Sequence, residues 1–551
     1  MKKNIVIVSC ASTGLNYIDD IKYRGYNPVI VDAEPVGNDE SIKPIILEKE
    51  NIYNSIDKNI PVIKDYKNYE ELLEKVKAYD PLLVVVGEEF GVEIGTQLAD
   101  DLGLPGTPRE RIPYMTEKAK MHQTLKEHGL RCIEGKIISS LDDAKEFFDS
   151  LPTQDFVIKW SRGAGTQGVH ICHGWEEIKK AVEDSLNHPF FENGQKIELL
   201  MQECIKGDEY IVNTITCNGQ HRVTSVLKYN KITLPDGSHV YNYANTLSEI
   251  DIGISNLIRY AYDTVDAIGI VNGPVHGEYM VDERGPVLME VNCRPMGGNM
   301  PRKFLESVFG HHETDVILDT YLHPEHFEEE RLQFYRPKRK GCLKVFIVPE
   351  NTIANTAPIL QIAKNLKSYH SAHLRWVGRE TELEKTTDLE NAGGYVYLIH
   401  EDPRVVMDDT NLLHLIETKY PKLFFDNSVN SDNSCKKDVQ LCDINNLIKK
   451  NVRKGSTLVL TDRNLKLDSA VVCDFDSLNS FYDGFEQGVL DLTKKSSFKD
   501  LESTIERIFK FASKIREGGR IIVPESTYEN LPYGIEGIEI LMKTLNLRIE
   551  M

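Results

Sequence analysis

No apolar run in the 551 residues approaches the roughly 18 needed to span a bilayer, the longest being strings such as residues 82–86. A membrane-embedded protein is therefore not expected. The chain has little positive charge for its size: 65 Lys and Arg stand against 85 Asp and Glu, a formal net charge of -20. An acidic surface of that size disfavours nucleic acid backbones and anionic membranes, so the expected partners are small molecules, and the sequence allows a homo-oligomer. Ten cysteines are scattered without CxxC spacing, which argues against a disulfide scaffold and points to reduced thiols in the cytoplasm. Lys2 and Lys3 before residues 5–8 imitate an export signal, but four apolar residues are too few, and this stretch reads as a first strand. There is no internal repeat and no GK[ST] phosphate loop.

What is present is an ordinary globular composition, 41% apolar and 27% charged, in a chain long enough for two or three domains. Residues 4–10, a small-residue loop, an amphipathic stretch to Arg24 and residues 28–32 read as a βαβ unit. Helical stretches at 69–79 and 92–102 around an apolar strand at 82–86 continue the alternation that builds a parallel sheet covered on both faces. Two Gly and two Pro within 103–108 punctuate its end, placing a boundary near Ile112. Beyond it the pattern becomes α+β. A polar stretch at 426–438, rich in Asn and Ser, reads as a linker, and residues 439–551 as a small α/β domain without the glycine-rich loop expected of a methyl-donor site.

The strongest chemical signal is a pair of strands at 275–281 and 287–295. Side chains alternate across a strand, so His276 shares a face with Glu278, and Glu290 shares one with Asn292. A loop over 282–286 would set Glu278 opposite Glu290 and His276 opposite Asn292, with Cα atoms about 4.5–5.5 Å apart. Like charges are normally avoided in such positions, and a cation resolves the conflict. Magnesium takes oxygen ligands, commonly one or two carboxylates together with substrate phosphates, so Glu278, Glu290 and Asn292 suit a Mg-nucleotide site. Arg294, two residues on, can return to that face and meet a phosphate oxygen.

A second signal is Lys159 at the end of a strand, followed by a loop holding Gly163, Gly165 and Gly168. Glycines let backbone N–H groups approach phosphate, and the lysine supplies a point charge. Between the two lies a polar hinge, Gln202, Glu203, Cys204 and Ile205, which can meet an adenine edge, with Glu209 available to ribose hydroxyls. Glu89 sits just past the apolar strand 82–86, at the carboxyl edge where open α/β sheets bind ligands, and is a candidate substrate residue.

Taken in order, Lys118, Lys159 with its glycine loop, the hinge from Gln202 to Glu209, and Glu278, Glu290, Asn292 and Arg294 resemble the ATP-grasp superfamily. Within it the chain looks most like the L-amino acid ligases and alanine-anticapsin ligases, on His276-x-Glu278 and on the run from Glu290 through Arg294 to Gly297 and Gly298. The resemblance covers roughly residues 1–420. It implies an α/β and α+β architecture: an N-terminal Rossmann-like domain (1–112) and an ATP-grasp domain (113–425, with a lid at 115–200, a nucleotide and metal core at 201–335 and an extension at 336–425), to which the sequence adds the C-terminal α/β domain (439–551) that lies beyond the resemblance. It also implies ATP and Mg2+ as cofactors, with Lys118 and Lys159 on the phosphates, residues 202–205 around adenine and Glu209 on ribose. Glu278, Glu290 and Asn292 would bind metal, Arg294 and His276 would be catalytic, and Gly297 and Gly298 would help place the substrates. Gln202 departs from the acid many relatives carry, which puts its side-chain contact to the adenine amino group in doubt. The activity implied is ligation of a carboxylate to an amine through an acyl phosphate, releasing ADP and phosphate. A bifunctional ligase with a methyltransferase-like C-terminal domain, a biotin-carboxylase-like enzyme and a regulator with a damaged site are the alternatives.

Overall fold

A computed structural model gives the fold and describes residues 3–33, 52–163, 168–189, 191–192, 195–234, 239–353, 362–374, 382–387, 389, 391–419, 457–461, 471–473, 485–491, 515–522 and 548–550. The chain divides into two compact units, residues 1–230 with 244–341, and residues 231–243 with 342–551. The linker expected at 426–438 lies outside the described residues.

The first unit opens with four parallel strands in the order Val62–Ile63, Asn27–Val31, Asn4–Val8, Pro81–Val86. Their sequences are almost continuously apolar because both faces are covered. Ile5, Ile7, Ile30, Leu83 and Val85 point to one side, against Tyr17 and Ile21 of helix Asn16–Tyr23 and Ile317 of helix Glu313–Leu322. Val6, Val8, Val29, Val31 and Val84 point to the other, against helices Tyr69–Lys77 and Val92–Asp101. Backbones meet where the first strand turns into its helix: a Cβ on Gly14 would stand 2.5 Å from the Cα of Gly87.

A second, antiparallel sheet has the order Gly135–Ile138, Leu199–Glu203, Asp155–Trp160, His170–His173. One face, with Ile138, Phe156, Ile158, Cys172, Leu199 and Met201, packs on helices Leu141–Ser150 and Trp175–Asn187. By the alternation of strand side chains the opposite face carries Val157, Lys159, Leu200 and Gln202.

The largest antiparallel sheet of this unit orders Gly285–Asn292, Gly273–Asp282, Asp208–Cys217 and Gln220–Thr233. Tyr210, Val212, Val275, Tyr279, Leu288 and Val291 form its core face, covered by helices Ile254–Ile268 and Lys118–Glu127. Asn213, His276, Glu278, Glu290 and Asn292 fall on the reverse face.

In the second unit strands Lys340–Phe346, Gly394–His400 and Tyr369–Leu374 adjoin in that order over helix Pro403–Lys419. Lys344 and Glu417 form a buried ion pair at 2.6 Å, and the second carboxylate oxygen accepts the Ile347 N–H, so both charges are hydrogen-bonded as burial requires. Farther along, five parallel strands run in the order Val471–Cys473, Thr457–Thr461, Phe485–Asp491, Ile515–Ile522, Arg548–Glu550.

Candidate functional site

The hairpin holds the register that the spacing predicts, Glu278 opposite Glu290 and His276 opposite Asn292. It reaches it differently, however. The turn is tight, with Asp282 pairing Gly285, and a bulge between Glu278 and Tyr279 takes up the extra residue. Asp282 secures that turn by accepting from Arg284 N–H and pairing with Arg131 at 2.7 Å. The bulge keeps the two carboxylates abreast on one face.

Helix Lys118–Glu127 delivers Lys118 to them, its Nζ 2.9 Å from Glu290 Oε2 and donating to the Gly163 carbonyl at 3.0 Å. Desolvation alone would raise the Glu290 pKa, but Lys118 and Lys159 outweigh it and hold this carboxyl at about 2. Desolvation also opposes the charge on Lys118, and Glu290 reverses that, leaving the lysine raised. Lys159, only 8% exposed, is lowered to about 8 by its own burial and by the like charge of Lys118. Asn292 donates to Glu290 Oε1 at 3.3 Å, and His276 Nε2 lies 3.3 Å from Glu278 Oε1.

Among the described residues no group of three or more His, Cys, Asp or Glu is gathered to hold a metal unaided. Glu278 and Glu290 with the Asn292 amide form instead a two-carboxylate set with hard oxygen donors, which fits magnesium when nucleotide phosphates complete the shell. The fit to a nucleotide rests on Gln202. Its side chain is 2% exposed on the same sheet face as Lys159, and its Nε2 has no hydrogen-bond partner. Adenine N7 and N6 offer the acceptor and donor that such an amide matches. The backbone N–H groups of Glu203 and Cys204 are already engaged, by the Glu134 and Asp155 carbonyls. Glu203 pairs with Arg284 at 3.3 Å, while Glu209 stands opposite Met280 on the neighbouring strand. Ile205 follows directly in the hinge, and Gly168 takes a left-handed φ of +67° against the Trp160 ring. Gly165 lies outside the described residues.

Arg294 leaves the hairpin and donates to Glu89 Oε2 at 3.0 Å across 205 residues of sequence, so both candidates meet at the carboxyl edge of the parallel sheet. Beyond it Gly297 and Gly298 form a turn, with Gly298 at φ +79°. The first βα loop clasps this turn. Thr13 Oγ1 donates to the Met296 carbonyl at 2.6 Å and accepts the Asn299 N–H at 3.2 Å, while Asn16 Nδ2 donates to Asn299 Oδ1 at 3.2 Å. Ser9, Ser12 and Asn299, all near this clasp, hold left-handed φ values of 59°, 49° and 40°. Strain of this kind persists where the surroundings fix the backbone, as at ligand sites.

Sequence reasoning missed two residues here. Asn213, opposite His276 on the adjacent strand, places its Oδ1 2.8 Å from His276 Nδ1, and its Nδ2 donates to Glu313 Oε1 at 3.3 Å. Glu313 Oε2 accepts the Met296 N–H at 2.5 Å. Desolvation pushes the Glu313 carboxyl up to about 8 against the lowering effects of that N–H, Arg294 and His312. Neither residue sits in a motif, so no local signal could have found them. His311 and His312, which stand in a polar stretch of the sequence and so read as solvated, are not. His312 is 6% exposed between Asp20 Oδ2 and Glu306 Oε1, each at 2.9 Å, and His311 Nε2 lies 3.2 Å from the Thr224 carbonyl. Their polar neighbours in sequence did not reveal that helix Asn16–Tyr23 packs over them. His170 and His173 are exposed and Cys172 buried, so these three do not form a metal cluster.

Residues 153–302 match the model of the ATP-grasp domain. The chain is 26% identical over 408 residues to dapdiamide A synthase of Enterobacter agglomerans, covering 74% of this chain and 93% of that protein. It is 23% identical to the L-arginine-specific L-amino acid ligase of Bacillus subtilis, over 51% of this chain and 68% of that one. Among solved structures it resembles an L-amino acid ligase from Bacillus licheniformis with a TM-score of 0.56 at 16% identity, over 75% of this chain and 97% of that chain. The chain therefore carries an ATP-grasp domain on an ATP-grasp fold and, within that superfamily, resembles the L-amino acid ligases.

Proposed function

We propose that this protein is an ADP-forming ligase that joins a carboxylate to an amine, with amino acids or similar small metabolites as substrates, in the cytoplasm. The observation that carries this reading is the convergence, on one hairpin face, of Glu278, Glu290 and Asn292 with Lys118, and of Arg294 with Glu89 beside it. Amide formation from a free carboxylate is uphill at neutral pH. Phosphorylating the carboxylate creates a leaving group that an amine can displace.

Each residue has a part in that reading. Gln202 would hold adenine, and Lys118 and Lys159 would hold the phosphates. Glu278, Glu290 and Asn292 would hold magnesium, which would supply charge neutralisation for phosphoryl transfer. Arg294 is placed to stabilise the acyl phosphate, since a planar guanidinium meets phosphate oxygens bidentately. Glu89 can receive the substrate's ammonium group once Arg294 has turned to the phosphate. The clasped Gly297–Gly298 turn offers backbone N–H groups and no side-chain bulk to the substrate. No covalent enzyme nucleophile is required, which accords with the half-buried thiol of Cys293, pushed well up by desolvation.

Screening pairs of amino acids for phosphate release, with mass detection of the product, tests the reading. Heavy-isotope oxygen placed in the substrate carboxylate should emerge in the released phosphate, because one carboxylate oxygen bridges to phosphorus. Formation of AMP and pyrophosphate, or phosphate without the label, would refute it.

A further inference from the structure

The parallel sheet takes hold of residues 294–299 at both ends. At one end Glu89 accepts from Arg294 at 3.0 Å. At the other Thr13, buried in the first βα loop, spans the turn with a single hydroxyl, which donates to the Met296 carbonyl at 2.6 Å and accepts the Asn299 N–H at 3.2 Å. A hydroxyl can do both at one atom, and the β-branched threonine side chain holds it in a narrow range of directions. The two grips share one base. Gly14, next to Thr13, packs so closely on Gly87 that a Cβ there would stand 2.5 Å from the Gly87 Cα, and Glu89 follows two residues later. The loop and the strand end that carries Glu89 are thereby fixed to each other. The N–H groups of the turn then fall into two classes. The outer two are taken, Met296 by Glu313 and Asn299 by Thr13. The inner two, on Gly297 and Gly298, have no partner among the described residues, and both glycines are exposed. Gly298 at φ +79° and Asn299 at φ +40° carry the chain through the left-handed region, where successive N–H groups form a concave donor pair for an oxygen. The constraint on Asn299 comes from the parallel domain: Thr13 holds its N–H, and Asn16 Nδ2 donates to its Oδ1 at 3.2 Å.

We propose that Thr13 is a positioning residue for an amino-acid substrate: by spanning the turn from Met296 to Asn299 it keeps the Gly297 and Gly298 N–H groups in the one arrangement that meets a substrate oxygen. The assignment of a substrate to this turn rests on the ligase reading given above; the clasp itself does not. The N-terminal domain then sets part of the affinity for that substrate by acting through the turn. Asn299 is exposed, so its N–H can take water when the hydroxyl is removed, and the fold survives. The turn, no longer spanned, is divided among several arrangements. A substrate that fits only one of them binds more weakly in proportion to the fraction of molecules that hold it.

The test compares Thr13→Val, Thr13→Ala and Thr13→Ser in the full chain. Val keeps the shape of threonine without the hydroxyl, and Ser keeps the hydroxyl without the methyl group. At saturating ATP, the KM of at least one amino acid of a productive pair should rise roughly tenfold in the Val and Ala variants, the effect of one or two hydrogen bonds, with kcat altered less. Thr13→Ser should stay within about threefold of the wild type. ATP affinity by calorimetry should be unchanged in all three, because Lys118, Lys159 and Gln202 lie on other elements. Hydrogen exchange followed by mass spectrometry should be faster over residues 296–300 in the Val and Ala variants and normal in the Ser variant. Wild-type KM values in Thr13→Val and Thr13→Ala overturn the proposal. So does a loss that Thr13→Ser fails to restore, which would mean that the side chain serves packing, and so does an equal loss of ATP affinity, which would mean general damage. If Thr13→Val does not fold, Thr13→Ala against Thr13→Ser carries the same comparison. A wild-type protein that forms no amide from any pair sinks the ligase reading and the substrate role with it, whereas one that ligates with its variants unaffected overturns this proposal alone.

Discussion

Two antiparallel sheets of the same unit face the proposed nucleotide with opposite preparations. The sheet that runs from Gly135–Ile138 to His170–His173 presents Lys159 and Gln202 on one face, the lysine depressed to about 8 by burial and the amide nitrogen without a partner. The hairpin sheet presents polar groups that already have partners: Glu290 with Lys118, Glu278 with His276, and Arg294 with Glu89. The difference is one of reorganisation. Lys159 and Gln202 would gain stabilisation when a nucleotide arrives, because it would supply partners their burial withholds. Groups on the hairpin face must exchange one partner for another, which favours binding modestly but holds the geometry for phosphoryl transfer in advance. Substitutions of Lys159 or Gln202 should therefore weaken binding, and those on the hairpin should slow chemistry.

The hardest test of that contrast is Glu290→Ala. It removes the central carboxylate and leaves Lys118 uncompensated, so ATP-dependent product formation should fall by roughly 10³-fold or more with the fold intact by circular dichroism. Turnover near the wild-type level in saturating magnesium would show that the hairpin face does not carry the chemistry. Next is Arg294→Ala, for which a loss of about 10²–10³ in kcat is expected with little change in ATP affinity, measured by steady-state kinetics and calorimetry together. A change confined to KM for ATP would place this arginine on the binding side.

On the other sheet, Lys159→Ala should weaken ATP binding by roughly 10–100-fold, the value of a charged hydrogen bond of about 1.5–3 kcal/mol, and should alter kcat less. A calorimetric affinity equal to the wild type's would break the comparison. The smallest effect is in the pH dependence. Lys159 is charged in the free protein only below about 8. Its charged form is the one that meets phosphate, so ATP affinity should hold below that value and decline as pH rises through it, by at most about tenfold per unit for one linked proton. Lys159→Arg, with a side chain that stays protonated, should flatten the decline. A wild-type affinity that is level across this range would mean that Lys159 does not meet the phosphates.

The hairpin was legible because it is local. Period-two alternation places His276 with Glu278 and Glu290 with Asn292 whatever the turn does, and here a bulge restored the pairing that a tighter turn would have shifted. Lys118 was not legible from its own surroundings, since a lysine opening a helix is ordinary; it entered through resemblance, and the structure brings it to Glu290. The two histidines before Glu313 were hidden for the same reason in reverse. A polar string at a helix start reads as solvated, and nothing in it discloses that Met296 and Asp20 pack against it from elsewhere in the chain.

The sequence by itself determined which side chains share a face. Strand periodicity and apolar patterning divide each sheet into a core side and a chemical side, and they follow from backbone geometry over a few residues. Only the tertiary structure decided what each chemical side meets: Glu89 with Arg294, Thr13 with the Met296 turn, and Asn213 with both His276 and Glu313. Those contacts join residues up to 286 positions apart. They are set by how whole layers pack to bury their apolar faces, and no local pattern encodes that choice.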